Sequence, residues 1–392
     1  MVVAVLALFA TAAMAAVYNV VDYGARAGGG VDSAGAFLAA WAAACGDDGG
    51  GDRTPPVMRV PAGNFLVGQA YFRGPCRSAG GVVVAIDDGA VIVAPPAVAN
   101  TSWIMFHYAH RLAIRGGTLD GNGHSFWSCK SSTKTPHCPP GTTTLDISQS
   151  NNVSIKRLTL LNSKNVHVSI FDCTNVTLRG VRITAPADSP NTDGIRVALS
   201  RGVTILAATV RTGDDCVTIG PGTAGVVVRG IRCGPGHGIS IGSLGGGAGE
   251  GEVRDVTVED ASLADTQNGV RIKTWAKPFA GRVSDVRFAR VAMHGVENPI
   301  VIDQNYCPGN INCPNQMSGV KISDVVYEDI TGTSATAVAV RLDCSGSNPC
   351  TGITLRNINL TYDDGGGEEV ARSFCRNAAG SASGVVSPPS CL

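Results

Sequence analysis

The chain has 392 residues, 50 of them glycine, with 16% charged residues and no net charge at pH 7. A neutral chain builds no global field toward nucleic acid or a membrane surface, so an acidic ligand must be met by a local basic cluster. So much glycine and so little charge also speak against a helix-rich fold, which would carry more Glu, Lys and Leu.

Residues 1–16 are almost wholly apolar and end in Ala13-Met14-Ala15-Ala16, a small-x-small pattern that reads as a signal-peptidase site, although no Lys or Arg follows Met1. The stretch is short for a bilayer span, and nothing later reaches such a length. We therefore expect a secreted chain whose residues 17–392 form one domain. Val17 to Gly24 reads as a short strand. Asp32 or Ser33 then caps a helix running to Cys45, with Phe37, Leu38, Trp41 and Cys45 on one face. From Met58 onward short apolar runs alternate with glycine turns. Residues 124–143 hold Cys129, Cys138 and three prolines and read as a loop insertion. The tail from Gly365 reads as loop-rich.

Between these lies a repeat. Val153, Val176, Val203 and Val226 each open a similar strand, at intervals of 23, 27 and 23 residues, and later coils start near Val253, Val283, Val320 and Ile353. Repetition at such a period indicates a solenoid, and the N-terminal helix would cover its open end. The longer late coils must hold loops, among them the glycine run 245–251, which reads as flexible.

A second series is in step with the first. Asp193 precedes Gly-Ile-Arg-Val, Asp215 precedes Cys-Val-Thr-Ile, His237 precedes Gly-Ile-Ser-Ile, Asn268 precedes Gly-Val-Arg-Ile and Asn298 precedes Pro-Ile-Val-Ile. The alternation predicts strands with two buried columns: Ile195, Val217, Ile239, Val270, Ile300 and Val197, Ile219, Ile241, Ile272, Ile302. Asp193, Asp215 and His237 are spaced by 22 residues each. Residues one coil apart stack about 4.8 Å apart. These three therefore form a ladder, with Asp214 beside it. Carboxylates at that range raise one another's pKa, so the ladder costs free energy and points to function. A single such residue would be an ordinary turn former. Strand parity sets Asp193 and Asp215 on the buried side, so they must lie at a bend just before their strands. Arg271 and Lys273 share one strand face and can grip an anion together.

Thirteen cysteines suit an oxidising compartment. Spacing suggests Cys45–Cys76, Cys129–Cys138, Cys216–Cys233, Cys307–Cys313, Cys344–Cys350 and Cys375–Cys391, leaving Cys173 as a buried thiol. No cysteine or histidine spacing suggests a metal site. Sequons occur at Asn100, Asn152, Asn175 and Asn359.

Asn191-Thr192-Asp193, Gly213-Asp214-Asp215, Gly236-His237-Gly238 and Arg271-Ile272-Lys273, in this order, resemble the signature segments of the polygalacturonases, glycoside hydrolase family 28. The flanks Ser189-Pro190 and Cys216 to Gly220 agree, the likeness runs from about Tyr18 to the C-terminus, and it is strongest to the plant pollen branch, which includes grass-pollen allergens. The resemblance implies an all-β right-handed parallel β-helix without cofactor or metal, acting outside the cell as a monomer on cell-wall pectin. It implies Asp214 as the general acid, Asp193 and Asp215 holding the attacking water, and His237 supporting the acid. It implies Arg271 and Lys273 binding the substrate carboxylate, with Asn191 and Tyr306 at the same site. The branch is mostly exo-acting. The chemistry of the residues agrees: hydrolysis needs one protonated and one ionised carboxyl group, and no residue stands out as a nucleophile, which favours inversion. An endo-polygalacturonase, a rhamnogalacturonan or xylogalacturonan hydrolase, a calcium-dependent pectate lyase, and a binding-only solenoid are the alternatives. The Asn-Thr-Asp segment and His237 argue against the lyase, and the full carboxylate set argues against loss of catalysis.

Overall fold

A computed structural model describes residues 15–49, 54–98, 101–131, 138–363 and 370–392. The signal-peptide reading and the Asn100 sequon fall almost wholly outside them. The chain winds as a parallel β-helix, every strand pairing in parallel with its counterpart one coil away. One side of the coils forms an 11-stranded front sheet, and the rest pair in a 20-stranded set. Six consecutive front strands matter here: β1 (Val168–Phe171), β2 (Ile195–Ala198), β3 (Val217–Ile219), β4 (Ile239–Leu244), β5 (Asn268–Trp275) and β6 (Asn298–Tyr306).

Both expected columns form. Ile195 pairs with Val217, Val217 with Ile239, Ile239 with Val270 and Val270 with Ile300, and the second column keeps the same register. All ten side chains are fully buried. Each contributes roughly 1.5–3 kcal/mol by leaving water. Because the side-chain period is two, residues between them point outward, which sets Arg196, Thr218, Ser240 and Arg271 in one row on the front face.

The coils turn through a second ladder. Asn152, Asn175, Gly202, Gly225, Asp255, Asp285, Asp324 and Gly352 occupy one position in successive coils and all have φ between 55° and 68°. Asn, Asp and Gly are the residues that enter this left-handed region at least cost. Asn175 Nδ2 donates to Asn152 Oδ1 at 3.3 Å, so two of the sequon asparagines also stack. Extra residues enter at the corner that follows the later front strands, as 220–223, 245–252, 276–280, 307–319 and 344–349, and also before the front strand Thr143–Ser148. Asp193, Asp214, Asp215 and His237 precede their front strands, at that second corner.

The N-terminal end is covered by α1 (Ala34–Gly46), whose Phe37, Ala40, Trp41, Ala44 and Cys45 are buried. Leu38 is only partly buried. Ser33 makes no side-chain cap. Asp32 does so instead, Oδ1 accepting from the N–H groups of Ala34 and Gly68 at 2.9 and 2.8 Å. Trp41 packs edge-on against Phe72 and Phe106, with ring centroids 5.5 and 5.3 Å apart.

Three expectations need correction. Residues 124–143 contain a helix, α2 (His124–Ser131), anchored by buried Phe126 and Trp127, the indole donating to Ser163 O at 3.1 Å. Eight residues are too few for periodicity to show. The tail forms two strands, Arg372–Arg376 and Ala378–Ser387, that add a final coil. Among the described residues nothing stacks beyond it, and its second strand is mostly exposed and lacks the apolar alternation. The glycine run is held rather than loose, since the Glu250 carboxylate accepts the N–H groups of Gly245, Gly246 and Gly247 at 2.7–3.0 Å. All six expected disulfides are present and the Cys173 thiol is free and buried.

Candidate active site

The bend required of the two aspartates exists. Asp193 and Asp215 lie two residues ahead of β2 and β3 in non-strand backbone, and are 4% and 2% exposed. The intervening Gly194 is forced: a Cβ there would stand 2.5 Å from Cys216 O of the next coil. Gly213 is forced likewise, its Cβ falling 2.1 Å from Ser189 O. Thr192 ties these segments together, its hydroxyl meeting the Ser189 hydroxyl at 2.7 Å and accepting from Gly213 N–H at 3.0 Å. The Cys216–Cys233 disulfide fastens the residue next to Asp215.

Asp215 is enclosed by cations. Lys273 Nζ reaches Oδ2 at 2.7 Å, and Arg271 Nη2 reaches Oδ1 at 3.0 Å. The Ser240 hydroxyl donates to Oδ1 at 2.7 Å and accepts from Arg271 Nε at 3.1 Å. Arg271 and Lys273 are thus bonded first to a carboxylate of the protein itself. Thr218 donates to Asp193 Oδ2 at 2.7 Å and lies 3.5 Å from Asp215 Oδ2, so it stands between the two acids. Thr218 and Ser240 were not singled out from the sequence. Their signal was there: each is the outward, hydroxylated middle residue of an apolar triplet, Val-Thr-Ile and Ile-Ser-Ile.

Asp214 has different company. Its Oδ1 meets His237 Nδ1 at 3.0 Å and accepts from Asp215 N–H at 2.7 Å. His237 N–H also donates to Asp214 O at 2.8 Å. Burial drives the Asp214 pKa upward, but the His237 hydrogen bond and charge, the Asp215 N–H and Lys273 together hold it below the ordinary value. At Asp193 the balance goes the other way. Burial, aided by the charges of Asp214 and Asp215, outweighs Arg196 and Thr218 and raises the pKa to about 6. Burial first, and crowding after it, therefore make Asp193 rather than Asp214 the carboxyl that holds a proton most readily in the free protein, whereas the resemblance assigns the acid role to Asp214.

These groups border a cleft of about 350 Å³, lined by Asn191, Asp193, Arg196, Asp214, Asp215 and Lys273, with Tyr306 at one wall. Tyr306 packs against Trp275 at 5.2 Å between centroids and lies under Lys273 Nζ at 5.1 Å; burial raises its pKa. Arg271 stands behind Lys273, its guanidinium 5.9 Å from the same ring. Of the residues expected at the site, Asn191, Asp193, Asp214, Asp215, Lys273 and Tyr306 line the cleft, while His237 and Arg271 stand behind it, bonded to Asp214 and Asp215. Ligand atoms of Asp214, Asp215 and His237 lie within 4.8 Å of one another, as in a metal site. The oxygens of Asp215 that would face an ion are already taken by Lys273, Arg271 and Ser240, so this donor set fits a metal poorly.

The family model for Glycosyl hydrolases family 28 matches residues 50–384. The chain is 49% identical over 381 residues to a polygalacturonase of Prunus persica, covering 96% of this chain and 93% of that protein. It is 39% identical over 380 residues to an exopolygalacturonase of Platanus acerifolia, with 95% and 97% covered. Its fold superposes on the crystal structure of the polygalacturonase from Erwinia carotovora ssp. carotovora with a TM-score of 0.68 and 26% identity, over 93% of this chain and 98% of that one. On the matched length, the gathered carboxylates and the shared fold, the chain belongs to the glycosyl hydrolases of family 28.

Proposed function

We propose that the protein is a polygalacturonase, acting outside the cell on the α-1,4-galacturonosyl bonds of pectin with inversion at the anomeric carbon. The observation that carries the reading is the junction of the carboxylates with Lys273: three acids meet at a cleft whose wall holds a cation suited to a uronate. Asp214, backed by His237, donates the proton to the glycosidic oxygen. Asp193 and Asp215, joined through Thr218, hold the water on the other side. Lys273, with Arg271 behind it and Tyr306 beside it, receives the carboxylate of one galacturonate; Asn191 completes the rim. Both cations keep donors that Asp215 does not use.

In the free protein Asp214 is held ionised, so it must be loaded on binding. A bound uronate works in that direction: its charge offsets Lys273, which holds Asp214 low after His237 and the Asp215 N–H, and it covers the carboxyl from water. The three acids then titrate as a set, and the proton retained by Asp193 belongs to that set. Exo action, releasing single galacturonate units, is the finer reading, supported by the likeness to the Platanus acerifolia exopolygalacturonase and by α2 beside Ser189 and Pro190, next to Asn191.

The test is product analysis on long homogalacturonan with the wild type and Asp214→Asn. The wild type is expected to release saturated monomer with little early fall in viscosity, and NMR of the first product to show inversion. The variant is expected to lose about 10²–10⁴ in rate while still binding substrate. An unsaturated product would mean a lyase, early oligomers would mean endo cleavage, and a near-wild-type kcat would remove Asp214 from the mechanism.

A further inference from the structure

Arg196 and Lys273 are the two cations among the residues lining the cleft. Lys273 stands on β5 and Arg196 on β2, with β3 and β4 between them. Their backbones stand about 14 Å apart along the axis, three strand spacings, and both side chains reach inward from there, Lys273 to Asp215 at 2.7 Å and Arg196 to Asp193 at 3.1 Å. Asp214 and Asp215 lead into β3, inside that span. A polymer cut there places one sugar toward each cation.

The surroundings of the two cations differ. Lys273 is 6% exposed and embedded against Asp215 and Tyr306. The Arg196 side chain is 46% exposed, and one of its five N–H donors is engaged, Nη2 reaching Asp193 Oδ2 at 3.1 Å. A guanidinium binds a carboxylate best through two parallel N–H groups, and here it holds a single oxygen. The floor beside it is made of small residues, Ala198, Gly220 and Pro221, which leave room for a ring. In the preceding coil Ser169 pairs with Arg196 and Phe171 with Ala198, and Phe171 is 45% exposed on the outward face. The arginine end of this pair is open to solvent, which weakens its hold on the buried Asp193 carboxylate. A single contact from a half-exposed guanidinium leaves most of its donors facing the cleft.

We propose that Arg196 is a specificity-determining residue that binds the carboxylate of the galacturonate on the β2 side of the scissile bond, so that the enzyme requires two adjacent unesterified units. This rests on the reading of the site given above. When the substrate takes Arg196, the guanidinium turns from Asp193 toward the uronate. Asp193 then loses its nearest counter-charge. The groups that face it are Arg196 three residues along, Asp214, Asp215 and Thr218 from the next coil, and His167 from the preceding coil, whose Nδ1 meets the Asp193 carbonyl at 3.1 Å and whose Nε2 accepts from Ser163 N–H at 3.3 Å. Arg196 is the cation of that group, so its position governs how readily Asp193 keeps its proton.

The experiment uses Arg196→Gln and Arg196→Lys in the whole enzyme, with short oligogalacturonates that are either free or carry one methyl ester on a defined unit of the scissile pair. The wild type is expected to discriminate against an ester on either unit. Arg196→Gln is expected to raise KM for the free oligomer about tenfold or more, with a smaller change in kcat, and to lose discrimination at the β2-side unit alone. Its kcat/KM profile is expected to move toward higher pH in the limb set by Asp193, and Arg196→Lys to recover part of the KM. A merely structural arginine would change melting temperature and leave the ester discrimination untouched. Wild-type activity with unchanged KM and discrimination in Arg196→Gln overturns this inference alone. A wild type that does not cut polygalacturonate overturns the reading of the site, and this inference with it.

Discussion

Asp193 is 4% exposed, and its carboxylate is met by one exposed arginine and one hydroxyl. Its pKa of about 6 in the folded chain lies above the usual value, so between about pH 4 and 6 the folded state binds more protons than the unfolded. Stability must fall as pH rises through that window, and the whole penalty is present above it. Asp193→Asn removes the penalty while keeping the shape. It is expected to raise stability at pH 7.5 by roughly 1–3 kcal/mol, to bring no gain below about pH 4, and to abolish activity. Chemical denaturation at the two pH values reads this directly; equal effects at both would show that burial is not the cause. The identity of these acids was plain in the sequence because their spacing matched the coil. Which of them keeps the proton was not, because that depends on burial, on how Arg196 turns back three residues, and on His237 and Lys273 arriving from two other segments. Thr218 and Ser240 were hidden for a simpler reason: a hydroxyl between two apolar residues is ordinary until a carboxylate is seen above it.

The strands themselves were legible because the apolar columns repeat with the coil, and each predicted pair in β2 to β6 stacks in register. The left-handed ladder was equally present in the letters, as Asn, Asn, Gly, Gly, Asp, Asp, Asp and Gly one residue ahead of the Val153-type positions. Asn, Asp and Gly suit any turn, so the letters alone do not mark these positions as one ladder. Its energetic meaning can be tested at Asp324, which has φ 58°. Asp324→Val forces a branched side chain into that region and is expected to cost about 1–2 kcal/mol. Asp324→Gly, which tolerates the same backbone, is expected to be close to neutral. Equal losses in both variants would show that the side chain, not the backbone, matters there. The element missed outright, α2, is held by two aromatic residues against the body of the coil, a tertiary cause that no local pattern carries.

Across the whole molecule the core is one continuous stack, so each coil relies on its neighbours and the ends are the weak points. At the N-terminal end α1 supplies the missing neighbour, and Trp41 is its main contact, through two aromatic rings and a hydrogen bond to Arg73 O at 3.1 Å. Trp41→Ala is expected to cost about 3–5 kcal/mol. Hydrogen exchange should show the loss first in Val57–Val60 and Ala70–Arg73, with β3 still protected; uniform loss would mean that the coils unfold as a single unit. The corners of the coil differ in another way. Loops 245–252, 307–319 and 344–349 follow front strands, whereas α2 lies before one, at the same corner as the acids and His237. At the acids a Cβ cannot be admitted, since at Gly194, Gly213 and Gly236 it would meet backbone oxygens at 2.5, 2.1 and 2.7 Å. One corner of the coil thus takes in a whole helix within two coils of positions that refuse even a methyl group.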